Sequence, residues 1–328
     1  MSSLWRTPLA GLESLVKIAV VGVGAMGSVY SGLLGSAGNE VWAVDIWAEH
    51  VEAIRSRGLR VEGASGDRVV RINATTDPTE VGAVELVVIA TKAMDVEAAA
   101  RAARHLLDAE TVVLTIQNGV GAAERVASIL GGDRVVVGVA GGFGASIVAP
   151  GHVHHHGLEL LRFAEPEGPP TPRIDRIAEV WSGAGFNVKT CEDADRLIWE
   201  KLICNVGFSG TCALLELTVG EVISDTAAWW VAARCAGEAF AVARARGISL
   251  EIDDVPSYLR AFGERIPGAR PSMLLDLLAG RRCEVDVING AIPAAARELG
   301  LEAPVNATVT ALVKAKESRI LAVGPHTA

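Results

Sequence analysis

Three polar side chains, Lys201, Asn205 and Ser209, recur at every fourth position of RLIWEKLICNVGFSG, a stretch that is otherwise largely apolar. This i, i+4, i+8 spacing places them on one face of one helix. A solvated polar stripe does not account for them, because Trp199, Leu202, Ile203 and Phe208 crowd the same segment. A second apolar stretch, PSMLLDLLAGRRCEVDVINGAI, is interrupted by Ser272, Asp276, Arg281, Glu284 and Asn289, of which Asp276 and Arg281 also read as solvated charges. An ammonium, amides, a hydroxyl and a carboxylate set on apolar walls are the ingredients of proton transfer to a bound polar substrate.

A different chemistry is written near the start, in KIAVVGVGAMGSVYSGLLGSAGNEVWAVD from Lys17 to Asp45. A short apolar run leads into Gly22, Gly24 and Gly27, with Ala25 and Met26 between the last two, then a small-residue helical segment and a second apolar run. This is a βαβ opening. Gly22 makes the tight turn, Gly24 admits a pyrophosphate close to the backbone, and Gly27 lets the helix pack on the sheet. The helix start aims free amides at the phosphates. Asp45 ends the second strand, where a carboxylate accepts from ribose hydroxyls and repels a 2'-phosphate; no Arg follows before Arg55. The spacing therefore predicts dinucleotide binding, NAD favoured over NADP, with capping of the following segment as the alternative role for Asp45.

The positioning elements follow an α/β pattern: a helix over 47–56, a hairpin around Gly66-Asp67, and parallel strands ending at Thr91-Lys92 and Gln117-Asn118-Gly119. Ligands in open α/β sheets bind at such strand ends. Lys92 could meet phosphate or a substrate carboxylate, or be a solvated strand-end lysine. Asn118 could hold nicotinamide or a substrate oxygen, or belong to a turn chosen for its glycine. After Asp195 the periodicity is helical, in segments over 197–215, 219–246, 255–262, 273–278, 285–299 and 306–321. The expected organisation is a loose extension (1–16), a Rossmann-type α/β dinucleotide-binding domain (17–192) and a mostly α-helical substrate domain (193–328). The Ala- and Trp-rich run from Ala227 to Ala243 reads as buried core, with a homodimer contact as the alternative.

Composition narrows the classes further. At 328 residues, half of them apolar and with net charge -9, the chain suits a soluble globular protein and not a nucleic-acid binder, which needs a basic stripe. No apolar run reaches membrane-spanning length, and the first 16 residues lack a signal core, so a cytoplasmic protein is expected. Cys191, Cys204, Cys212, Cys235 and Cys283 have no CxxC spacing and read as reduced thiols. His152, His154 and His156 alternate along a strand without a Cys or carboxylate at ligand spacing beside them, so no metal is expected.

Taken in order, these motifs resemble the ketopantoate reductase (2-dehydropantoate 2-reductase) family over nearly the whole chain beyond residue 16. The matching marks are Gly22, Gly24 and Gly27; Lys92; Gln117-Asn118-Gly119; Lys201-Leu202 with Asn205; and Ser272, Met273, Asp276, Gly280, Arg281 and Glu284, followed by Gly300, Pro304 and Asn306. The resemblance implies NAD(P)H-dependent reduction of a 2-oxo acid, ketopantoate in pantothenate biosynthesis, with Lys201 as general acid. It further implies that Asn205 and Ser272 bind substrate oxygens, that Asn118 and Lys92 lie near cofactor and substrate, and that Glu284 orients Lys201 or the substrate hydroxyl. Ser209-Gly210 stands where the family usually has a second asparagine, often followed by proline, and Asp45 stands where many members carry a basic residue. Both departures resemble NAD-dependent D-2-hydroxyacid dehydrogenases that act on branched or bulky acids; a dinucleotide-binding sensor without catalysis is the remaining alternative.

Overall fold

The computed structural model describes residues 15–142, 144–157 and 160–323. The extension expected over 1–16 lies outside the described residues except for Leu15 and Val16. Val16 is buried and its carbonyl accepts from Glu40 N, so the sheet's hydrogen bonding begins there. The first half of the chain alternates strands and helices: β1 (Lys17–Val21), α1 (Ala25–Ser36), β2 (Glu40–Val44), α2 (Ala48–Arg57), β3 (Leu59–Gly63), β4 (Arg68–Val70), β5 (Asn73–Thr75), β6 (Leu86–Ile89), α3 (Val96–Ala103), β7 (Val112–Thr115) and α4 (Ala122–Leu130). β8 (Val135–Gly141), β9 (Gly144–Ala149), β10 (His152–Gly157), β11 (Leu160–Ala164), α5 (Pro172–Gly183) and β12 (Val188–Cys191) follow.

Eight strands form one sheet in the order β12-β11-β8-β7-β6-β1-β2-β5, parallel throughout except for the antiparallel β8–β11 pair. Side-chain alternation sorts β1 between two cores. Ile18 and Val20 pack with Tyr30 and Trp181 on one face, and Ala19 and Val21 pack with α3 and α4 residues on the other. Continuous apolar runs in β1 and β6 are what a strand covered on both faces requires.

The small residues of α1 have a second use. A four-stranded sheet, β4-β3-β10-β9, lies over the helix, and a Cβ on Gly32 would stand 2.4 Å from Val61 Cγ2. Every residue from Gly27 to Leu34 is buried, because α1 is sandwiched between two sheets. In the small sheet His152 and His154 both turn toward Glu62 on β3, at 3.0 and 3.4 Å. The carboxylate missing beside the histidines in sequence is thus supplied by a neighbouring strand. Among the described residues no group of three or more His, Cys, Asp or Glu is arranged to hold a metal ion.

The second half is helical: α6 (Ala194–Leu215), α7 (Val219–Ser224), α8 (Thr226–Ala245), α9 (Val255–Glu264), α10 (Ser272–Leu278), α11 (Ala291–Glu298) and α12 (Pro304–Val323). Two expected helices are divided. The 219–246 segment breaks at Asp225, whose carboxylate accepts from Ala228 N at 2.8 Å and starts a new helix. The 285–299 segment begins as a short 3-10 turn and becomes α-helix only at Ala291. Asp193 caps α6 in the same way as Asp225 caps α8, through Arg196 N. Alanines of α8 fill this core, while Trp230 stays exposed beneath Arg234. Among the described residues no helix is long and apolar enough to cross a membrane.

Candidate active site

At the C-terminal ends of β1, β2, β6 and β7 the chain turns into the glycine loop, Asp45, Thr91-Lys92 and Gln117-Asn118, which share one rim. Gly22 has φ +94°, and a Cβ there would stand 2.6 Å from Thr91 N. A Cβ on Gly27 would lie 2.0 Å from Gly22 O, whereas one on Gly24 would meet nothing within 4 Å. Gly24 starts α1 with no side-chain cap, and the first turn holds no acid, so the helix N-terminus faces open space with its amides unspent. Asp45 is held by two backbone amides: Val23 N donates to Oδ2 at 2.6 Å and Trp47 N to Oδ1 at 2.9 Å. Thr91 Oγ1 and Gln117 Oε1 are buried on this rim with no protein partner. These are the features a dinucleotide needs: an uncapped helix start, room above a glycine, a fixed carboxylate at the second strand and unspent polar atoms further along.

The helical half closes over the other end of the rim. Lys201, on α6, donates from Nζ to Asn118 Oδ1 at 2.8 Å and to Ala140 O at 2.6 Å. Burial lowers its pKa from 10.5 to about 8; Glu284 opposes that shift, and Arg162 adds to it. Cation and rim are therefore joined by α6, the turn after β7 and the end of β8. Asn205 lies one turn on and lines, with Lys201, Gln117 and Gly119, a narrow cavity of about 30 Å³. Gly119 has φ +83° as the turn requires, and the neighbouring Val120 N–H donates to Val287 O across the two halves.

A second junction forms around Lys92. Its Nζ donates to Asp276 Oδ2 at 2.5 Å and lies 3.8 Å from Glu284 Oε2. Asp276 and Glu284 are buried, and Arg281 reaches Asp276 Oδ1 at 3.1 Å. The reading of Asp276 as a solvated charge is corrected: apolar neighbours on α10 bury it, and two cations compensate it. Glu284 accepts from Ala93 N at 2.9 Å and makes no direct hydrogen bond to Lys201, so it acts on that ammonium through its field. Ser209 is 4% exposed, two turns beyond Lys201 on α6, while Ser272 is exposed at the first position of α10. Sequence reading did not find Ala140, because a main-chain carbonyl leaves no residue signature. Nor did it find that Gln117 pins two strand ends by donating to Ile89 O and Thr91 O.

A dinucleotide-binding sheet faced by a helical domain that presents a half-buried ammonium to the rim defines an NAD(P)-dependent oxidoreductase. The sequence profile of ketopantoate reductase PanE/ApbA matches residues 18–168, and that of its C-terminal domain matches residues 193–317. The chain belongs to the ketopantoate reductase family, whose members act on CH–OH groups. The 2-dehydropantoate 2-reductase of Halobacterium salinarum is 32% identical over 300 residues, covering 91% of this chain and 98% of that one. A PanE/ApbA family ketopantoate reductase of Ralstonia eutropha superimposes with a TM-score of 0.85 at 34% identity, over 93% of this chain and 99% of its own. D-mandelate dehydrogenase in complex with NADH and anilino(oxo)acetate does so at 0.85 and 28% identity, with the same coverage.

Proposed function

We propose that this protein reduces a 2-oxo acid to the 2-hydroxy acid with NADH, with Lys201 as general acid. The observation that carries the reading is the state of the Lys201 ammonium. Two of its three N–H donors are spent on Asn118 and Ala140, leaving the third for a substrate oxygen in the cavity shared with Asn205. Burial brings its pKa to about 8, close to the operating range in which a proton donor is most effective. A nicotinamide held at this rim would supply the hydride for the oxo carbon. Lys201 then neutralises the alkoxide oxygen, and Asn205 holds that oxygen in place. Gly22, Gly24, Ala25, Met26 and Gly27 would cradle the pyrophosphate, and Asp45 the adenosine ribose.

Coenzyme choice follows from Asp45. Two amides keep its carboxylate in place, and it would stand against a 2'-phosphate. The D-mandelate dehydrogenase relative is an NADH complex, which supports the same preference. Ser209 favours a second reading within this chemistry, a D-2-hydroxyacid dehydrogenase for a branched or bulky acid, because a short hydroxyl would leave more room for substrate than the asparagine usual at this position. Initial rates of ketopantoate reduction with NADH and NADPH at equal concentration test both points. Turnover faster with NADH supports the coenzyme assignment. Failure with ketopantoate alongside turnover of a bulkier 2-oxo acid moves the substrate to the second reading, and no turnover of any 2-oxo acid rejects both.

A further inference from the structure

One further cation, Arg162, is close enough to Lys201 for its charge to act on the ammonium. Arg162 sits in the middle of β11, paired in register with Val139 of β8. Its neighbours Leu161 and Phe163 turn to the opposite face and pack with Trp181. Ala164, two residues on, shares the Arg162 face and packs with Val137, Ala194 and Leu197 at the start of α6. Stepping from Ala164 back to Arg162 moves about 7 Å along the strand. Stepping from Leu197 to Lys201 moves about 6 Å along the helix. Both steps run the same way along β8, because Lys201 bonds to Ala140, the residue after Val139. The register therefore brings the Arg162 position level with Lys201, on the face that α6 covers.

Arg162 is exposed, and among the described residues it forms no ion pair. Its charge helps to hold the neighbouring ammonium below the ordinary lysine value, an unfavourable pairing of cations that a bound anion would relieve. In a 2-oxo acid the carboxylate is bonded directly to the carbon whose oxygen takes the proton, so that anion lies within a few ångström of Lys201, a distance a long cationic side chain at the level of Lys201 can span.

Building on the 2-oxo acid reading, we propose that Arg162 binds the substrate carboxylate beside Lys201 and so restricts the enzyme to free acids. A guanidinium suits the task, since its planar fork can take both carboxylate oxygens. The test is steady-state kinetics of the full chain with NADH, on a 2-oxo acid that the wild type reduces and on its methyl ester. Arg162→Gln should raise KM for the acid about 10- to 100-fold, with kcat little changed and kcat/KM for the ester unmoved. Arg162→Lys should recover part of the loss for the acid. An unchanged KM for the acid, or equal losses on acid and ester, would overturn the assignment while leaving the Lys201 chemistry in place. If the wild type reduces no 2-oxo acid with either nicotinamide, the underlying reading fails and this assignment goes with it.

Discussion

The two ends of the cleft are made of different material. At the glycine end the shape is set by backbone: a positive φ at Gly22, an approach at Gly27 that leaves no room for a Cβ, an uncapped helix start and a carboxylate tied down by two main-chain amides. At the Lys201 end it is set by side chains from separate parts of the chain, with α6 supplying the ammonium, the turn after β7 an amide and β8 a carbonyl. The first kind of site binds the invariant part of a cofactor and tolerates little change. The second can be retuned one side chain at a time, so relatives on this fold can share the chemistry and differ in substrate.

Lys201→Ala should be the most severe single change. Loss of the proton donor is expected to lower kcat by about 10²- to 10⁴-fold. NADH affinity, read by fluorescence titration, should stay near wild type because Lys201 touches none of the glycine loop. Gly22→Ala should do the reverse. The added Cβ meets Thr91 N at 2.6 Å in a backbone conformation that L side chains avoid. A strain of about 1–3 kcal/mol corresponds to NADH binding weakened roughly 5- to 150-fold, with the Lys201 pKa unmoved. If either variant damages both ends alike, the division proposed between them is false.

That division also explains what could be read from sequence. Gly22 and Gly27 were legible because a backbone demand restricts residue type, a positive φ at the first and an approach of 2.0 Å to Gly22 O at the second, and the restriction shows in the letters. The β8–β11 register, which sets Arg162 level with Lys201, and the burial of Asp276 against Lys92 depend on contacts between residues far apart in the chain, which no local pattern encodes. Glu284 shows the limit most clearly. Its place in the motif was legible, but its hydrogen bond from Ala93 N and its ion pair with Lys92 were not. Likewise Asp225 divides one apolar helical run into two, because its capping bond outweighs the continuity of the hydrophobic pattern.

The Lys201 pKa gives a prediction in which activity and stability move in opposite directions. A general acid must be protonated, so kcat should fall about tenfold per pH unit once pH exceeds the lysine's pKa of about 8. Stability runs the other way. Between about 8 and the unperturbed 10.5 the unfolded chain holds this proton and the folded one has released it, so this group's contribution to stability increases with pH across that window. Comparing pH–rate profiles with denaturant midpoints for wild type and Lys201→Met isolates both effects, since the variant should lack the alkaline stability gain. An alkaline limb in kcat near 10 would show that the ammonium is not depressed in the working enzyme.

The smallest effect is expected at Ser209, and it sharpens the substrate end most. Eight residues past Lys201, this side chain lies about 12 Å along the α6 axis, so any contact it makes is with the far end of a substrate and not with its reacting carbon. Ser209→Asn should shift kcat/KM by about 5- to 10-fold in favour of ketopantoate over a bulkier 2-oxo acid, the modest discrimination that small changes in pocket volume allow. Ser209 is only 4% exposed, so the larger amide has to find space already present. If the pocket is open there, the thermal midpoint stays where it is and only specificity moves. If the site is close-packed, overpacking costs about 1–3 kcal/mol and both substrates lose together, which would place Ser209 in the α6 core and return the choice of acid to Asn205 and Arg162.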